Sequence, residues 1–257
     1  MSSISIFFTL FFYFSVLIFI TGLSYKIVQY WNTPAPLKIP IAPAPLTKSG
    51  VFLRLTKEVF LFATLFKSSK WTWLFGWSFH LALVLLFFRH LVYFWPGEIP
   101  LILLKTEPLK YAAYPLIFGL FGLLGRRIFV DRVRYISAPS DYLMLLLIIL
   151  IGASGMVMTF ANNHPNMLLV KNFAEGLITF KWSELPSEVI FLVHIAPVFF
   201  LIAIFPISKL LHGPGIFFAP TLNQVDDARK QRHISHWAMQ KEKNTKIDLE
   251  HNKDKGS

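Results

Sequence analysis

The chain has no cysteine. That absence excludes thioether-attached haem, a thiolate-bound iron–sulfur cluster, a disulfide framework and a cysteine nucleophile, so any such centre must belong to another subunit. Also missing are a Walker A loop, a dinucleotide-binding glycine pattern and a metalloprotease H-E-x-x-H; the glycines are scattered. Acidic residues are scarce, 14 against 25 Lys and Arg, for a net charge of +11. No internal repeat is evident.

What is abundant is apolar surface. Hydrophobic residues make up 54% of the 257, with 27 Phe and a mean hydropathy of +0.54. A soluble domain of this length could not bury so much, and the chain reads as an integral membrane protein. Five stretches are long enough to cross about 30 Å of hydrocarbon: Ile4 to Val28, Trp71 to Phe94, Leu109 to Leu124, Asp141 to Phe160 and Glu188 to Leu211. The first lacks the basic n-region and cleavage site of a removable signal peptide and reads as an anchor. Trp71, Trp73, Trp77 and Trp95 flank the second, as interfacial aromatics do. These lengths predict an all-α bundle of five transmembrane helices, not a barrel.

The cations orient the bundle. Lys26, Lys38, Lys48, Arg54, Lys57, Lys67 and Lys70 lie between spans one and two, and Arg126, Arg127, Arg132 and Arg134 between three and four. The polar tail is also basic, whereas the opposite loops hold only Lys105, Lys110, Lys171 and Lys181. The positive-inside rule then places the N-terminus outside, in the periplasm, and the C-terminus in the cytoplasm, with the protein multi-pass in the inner membrane. The basic loops are topology signals, and no nucleic-acid surface is implied.

Four blocks follow: a first transmembrane helix over 1–30, a cytoplasmic Pro-rich loop and amphipathic segment over 31–70, a helical core over 71–223 and a flexible tail over 224–257. Pro34, Pro36, Pro40, Pro43 and Pro45 predict an extended connection. Val51 to Phe66, apolar but interrupted by Arg54, Lys57 and Glu58, predicts one amphipathic helix on the membrane surface or under a partner.

The chemical candidates are four histidines inside apolar spans, His80 and His90 in the second, His194 and His212 in the fifth. An ionisable group within a span faces a bundle interior or cavity and is a functional candidate by default. Spans two and five run antiparallel, which matches His80 with His212 at one face and His90 with His194 at the other. At 1.5 Å per residue the two levels lie about 15 Å apart on one helix and about 27 Å on the other, on average about 21 Å, with Pro197 and Pro206 supplying bends. Eighteen residues is five whole turns, which keeps His194 and His212 on one face, while ten leaves His80 and His90 about 80° apart. Two neutral imidazoles from facing helices suit a b-type haem with no open position, a centre for electron transfer. Against this stands a local reading in which each histidine satisfies a hydrogen bond within the bundle. His164 in an outer loop and His233, His236 and His251 in the tail read as solvated.

The words around the histidines carry a resemblance. The spacings of ten and eighteen, with "EVFLFATLFKSSKWTWLFGWSFHLALVLLFFRHLVYF", "RYISAPSDYLMLLLIILIGASGM" and "GLITFKWSELP…HIAPVFFLIAIFPISKLLHGPGIFFAPTLNQ", resemble the cytochrome b gamma subunits of respiratory nitrate reductases and, within them, the DsrM cytochromes of the DsrMKJOP complexes of dissimilatory sulfur metabolism. The likeness runs from about Arg54 to Asn223. Longer relatives carry an additional N-terminal span, which places this chain with a short form.

The resemblance implies a diheme, quinone-reactive subunit, with two heme b groups and menaquinone or ubiquinone as the exchangeable substrate. His80 and His212 would ligate the inner haem, His90 and His194 the outer. Implied partners are a cytoplasmic iron–sulfur subunit of heterodisulfide-reductase type, a periplasmic multihaem cytochrome c, a periplasmic iron–sulfur protein and a second quinone-interacting membrane subunit. Lys110 has the spacing of a quinol-pocket lysine in the nitrate reductase relatives; its other reading is a cation reaching for interfacial water. Arg89 is placed to meet an outer-haem propionate, with Glu98 or backbone carbonyls as alternative partners, and Lys209 an inner one. The competing functions are a nitrate-reductase-type gamma subunit, a histidine-lined transporter and a haem-free assembly anchor.

Overall fold

The computed structural model describes residues 1–33, 43–95, 107–161, 164–227, 235 and 237–245. Lys38, Glu98, Lys105, His233, His236 and His251, and Pro34, Pro36 and Pro40 of the predicted extended connection, lie outside the described residues.

Five helices are long and apolar enough to cross a membrane. They are α1 (Ser3–Asn32), α4 (Lys70–Phe94), α5 (Ala113–Phe129, entered through a 3-10 turn at Glu107–Ala112), α7 (Pro139–Phe160) and α9 (Val189–Ile204, whose span continues through a 3-10 turn to Ile207); the short α6 (Asp131–Tyr135) lies between α5 and α7. Three of them begin where the sequence supplies a start. Ser2 and Ser69 accept from the backbone N–H groups of Ser5 and Thr72 to cap α1 and α4, and Pro139 opens α7 where its missing N–H costs nothing. Arg126 and Arg127 close α5, complementing the negative end of its dipole. Phe7, Leu17, Phe87, Phe121 and Leu143 point outward, fully compatible with lipid and unfavourable in water.

The spans pack in the order α1, α9, α7, α5, α4. One apolar cluster joins Phe8 of α1 with Phe191 and Phe199 of α9; a second joins Phe79 and Ala82 of α4 with Leu116 and Leu120 of α5. Helices α4 and α5 touch backbone to backbone at Gly119, where a Cβ would come within 2.6 Å of the Phe75 carbonyl oxygen. Small residues permit that approach in membranes.

Three expectations change. The amphipathic stretch is two helices, α2 (Lys48–Leu61) and α3 (Ala63–Ser68), because Phe62 adopts the left-handed conformation, φ 50° and ψ 47°, and breaks the path. The loop between spans four and five contains α8 (Met167–Thr179), capped by Asn166. Its Val170, Phe173, Ala174 and Leu177 repeat at helical spacing and are buried, Val170, Phe173 and Leu177 within the first cluster. Finally, the fifth span is not one helix to Leu211. After Ile204 come 3-10 turns at Phe205–Ile207 and Lys209–Leu211, separated by an extended Ser208, then the short α10 (His212–Gly215). Pro206 has no N–H to continue the ladder, which explains the interruption.

Candidate metal centres

The structure brings the four histidines together in two pairs. His80 of α4 and His212 of α10 have ring centroids 5.8 Å apart with planes at 87°. His90 of α4 and His194 of α9 have centroids 6.4 Å apart with planes at 13°. Since His80 and His90 share one unbroken helix, the pairs lie about 15 Å apart along α4. The larger spacing expected along span five does not apply, because the chain leaves the helix at Pro206 before reaching His212.

Every Nδ1 is already engaged. His80 Nδ1 lies 2.7 Å from the Gly76 carbonyl oxygen and His90 Nδ1 2.7 Å from that of Leu86, one turn back in each case. His212 Nδ1 lies 2.9 Å from the Lys209 carbonyl oxygen. His194 Nδ1 lies 3.0 Å from the Ile151 carbonyl oxygen and 3.1 Å from Ser154 Oγ. The Ser154 hydroxyl proton is directed to the Leu150 and Ile151 carbonyls at 2.7 and 3.0 Å, which leaves its lone pair for the imidazole. A carbonyl can only accept, so each neutral ring carries its proton on Nδ1 and presents the lone pair of Nε2. Metal-bound histidines use this arrangement, the second nitrogen being fixed by a carbonyl or carboxylate.

The donor set narrows what could bind. Among the described residues no three His, Asp or Glu side chains gather into a bare-ion site. Two imidazoles alone suit a group that brings its own in-plane ligands, as haem does. The spacing fits as well, since a metal about 2 Å from each of two opposed nitrogens separates the ring centroids by about 6 Å. Moreover, α4 and α9 are not among the closely packed helix pairs of the described residues; they approach through His90 and His194, leaving the space between backbones to side chains.

Charged groups cluster around each pair. Arg89 Nη2 is 3.5 Å from Glu107 Oε2, and Lys110 Nζ is 2.9 Å from Glu107 Oε1. The two cations named from the sequence are therefore linked through a carboxylate that was not, while Glu98 lies outside the described residues. Arg89 Nε is buried without a hydrogen-bond partner among the described residues, a donor beside His90 that suits an anionic group. At the other end Lys209 Nζ lies 2.6 Å from Asp141 Oδ2, and Arg127 Nη1 3.4 Å from the same oxygen. Asp141 also accepts from the Ala138 N–H at 3.0 Å, and the Tyr142 hydroxyl donates to the Arg127 carbonyl at 2.9 Å. Asp141 and Tyr142, the "DY" of this stretch, thus tie the ends of α5, α7 and the fifth span. A cavity of about 630 Å³ opens beside His212, lined by Tyr30, Lys209, Leu211 and Phe218. His164 is exposed.

Sequence reasoning did not find Ser154, Gly155 or Glu107. A Cβ on Gly155 would lie 3.1 Å from His194 Cε1, so the small residues of "LIGASGM" make room for the ring and anchor it. Small residues midway along an apolar span, level with a histidine of its neighbour, are the signal that could have indicated Ser154 and Gly155.

Residues 63–227 match the nitrate reductase gamma subunit family. The chain belongs to that family. It is 33% identical over 270 aligned positions to the Hdr-like menaquinol oxidoreductase cytochrome b-like subunit of Archaeoglobus fulgidus, covering 88% of this chain and 81% of the relative. The counterpart of the same description in Archaeoglobus profundus is 31% identical, covering 86% and 79%. Both histidine pairs lie within the family match. The relationship agrees with the resemblance read from the histidine spacing and its flanking words.

Proposed function

We infer that the chain is a diheme b-type membrane cytochrome subunit that passes electrons between the quinone pool and a cytoplasmic iron–sulfur subunit in dissimilatory sulfur metabolism. The observation that carries this reading is the pair of histidine pairs, each ring fixed through Nδ1 and offering Nε2. A haem iron held by two imidazoles supplies one-electron chemistry with no position open to oxygen. His80 and His212 hold the inner group, His90 and His194 the outer. Arg89 offers its free Nε to an outer propionate, and Lys209, 69% exposed beside the cavity, has donors to spare for an inner one.

The names of the relatives favour menaquinol over ubiquinol as the exchangeable substrate. Lys110, held by Glu107 near the outer pair, is the residue we assign to the quinol headgroup. The positive-inside pattern puts the outer pair at the periplasmic face of the inner membrane and the basic loops towards the cytoplasm. The iron–sulfur subunit, of heterodisulfide-reductase type, docks on that basic face, a division of labour that the missing cysteines require. A periplasmic multihaem cytochrome c, a periplasmic iron–sulfur protein and a second quinone-interacting membrane subunit complete the assembly. The core over 71–223 carries the electron path, with the 31–70 segment and the tail at the docking face.

Rapid mixing of the assembled complex with a menaquinol analogue tests the assignment. The haem bands should reduce within the turnover time, and Lys110→Ala should slow that reduction while leaving haem content unchanged. Normal haem content with no reduction by quinol would place the quinone site in another subunit.

A further inference from the structure

Phe62 is one of only two non-glycine residues with positive φ among those described, and its ring stands edge-on to His80 at 5.0 Å and 86°. A bulky side chain in the left-handed region persists only where its surroundings over-determine it, and such outliers cluster at functional sites. Here the surroundings are explicit. In an unbroken helix the Phe60 carbonyl would accept from the Thr64 N–H. Instead, that N–H donates to the Glu58 carboxylate at 3.1 and 3.2 Å, and the Thr64 hydroxyl does so at 2.6 Å. The freed Phe60 carbonyl accepts from the Trp77 indole at 3.0 Å, and the Leu61 carbonyl from the Trp73 indole at 2.7 Å. The two indoles stack at 5.5 Å and 15°, and Phe66 closes edge-on against Trp73 at 4.9 Å.

The break between α2 and α3 is thus clamped onto α4 from both sides, and what it delivers is a phenyl ring against an imidazole. On the other side His80 meets Phe79 at 4.7 Å and 71°. With Nδ1 tied to the Gly76 carbonyl, these two rings leave His80 one orientation, crosswise to His212 at 87°. The outer pair has no phenylalanine ring against either imidazole among the described residues, and its planes lie 13° apart.

We propose that Phe62 is a positioning residue for the inner centre: it holds the plane of His80 across that of His212, and so gives the two haems of one chain different ligand fields. The proposal rests on the diheme reading. The relative orientation of two axial imidazole planes sets the splitting of the ferric d orbitals, so crossed planes give a strongly anisotropic low-spin EPR signal and near-parallel planes a rhombic one.

The test is low-temperature EPR of the oxidised full-length chain. Wild type should show one signal of each kind, with the anisotropic one absent in His80→Ala. Phe62→Gly removes the ring while keeping a residue at ease at positive φ, and Phe62→Asn is a second ringless residue that tolerates this backbone. In both, the low-field feature should move towards the rhombic signal, with two haems retained and the other signal unmoved. Phe62→Tyr should restore it. Two bound haems with an unshifted anisotropic signal in the ringless variants would overturn the proposal alone. Loss of the inner haem in both ringless variants would also overturn it, since Phe62 would then build the site and not orient its ligand. Wild-type chain without haem at this pair would overturn the functional reading, and the proposal with it.

Discussion

In the proposed function four imidazoles hold the two haems, and their usefulness comes from the acceptors behind them. Three of the four Nδ1 atoms take a carbonyl three or four residues earlier in the same chain, so the sequence needs no dedicated partner for them. His194 is the exception. Its helix contains Pro197, and its Nδ1 turns across to Ile151 and Ser154 of α7. Ser154→Ala removes one of two acceptors, worth about 0.5–1.5 kcal/mol for a neutral hydrogen bond. We expect the outer haem to transfer to an apoprotein acceptor up to about 10-fold faster, the low end for a lost supporting contact at a metal ligand. The inner haem should leave at the wild-type rate; acceleration of the inner haem would refute the role given to Ser154. The histidines were legible because an ionisable group inside an apolar span stands out. Ser154 was not, because a serine in a span satisfies itself on the preceding turn as readily as it serves a neighbour.

At the level of elements, the interruption after α9 decides where His212 goes. Pro206 is buried, and a Cβ on Gly22 of α1 would come within 2.7 Å of its ring, so the first span is shaped to the bend. Pro206→Ala restores an N–H and lets the helix continue, which would turn His212 away from His80. The inner haem component of a reduced-minus-oxidised spectrum should fall while the outer one stays; equal loss of both, or loss of neither, would show that the bend does not position His212. The spans themselves could be read because about 20 apolar residues have one solution in a bilayer. The bend could be anticipated from proline but not its form, and α8 was missed because its four core residues are diluted by Lys171, Asn172 and Glu175 in a short segment. Phe62 was unreadable for a different reason: nothing local favours a left-handed phenylalanine, and the partners that enforce it, Trp73 and Trp77, come from the next span.

For the whole molecule, the antiparallel course of α4 and the fifth span brings four histidines distant in sequence into two stacked pairs, and the charge pattern predicts which side of the membrane each pair faces. A chain without cysteine makes that sidedness easy to test, since any introduced thiol is the only one. An impermeant maleimide applied to right-side-out spheroplasts should label Ser3→Cys and leave Arg132→Cys unlabelled until the membrane is opened; the reverse pattern would invert the bundle. The family and the pairing of the four histidines were open to sequence reasoning because they depend on apolar length and on the few ionisable residues within it. What the four histidines hold is tested most directly by a pyridine haemochrome assay on the purified chain and its single histidine variants. The account predicts two b-type haems per chain, one spectral component lost alike in His80→Ala and His212→Ala, and the other lost alike in His90→Ala and His194→Ala. A wild-type stoichiometry of one or none, or the same component lost in His80→Ala and His194→Ala, would contradict it.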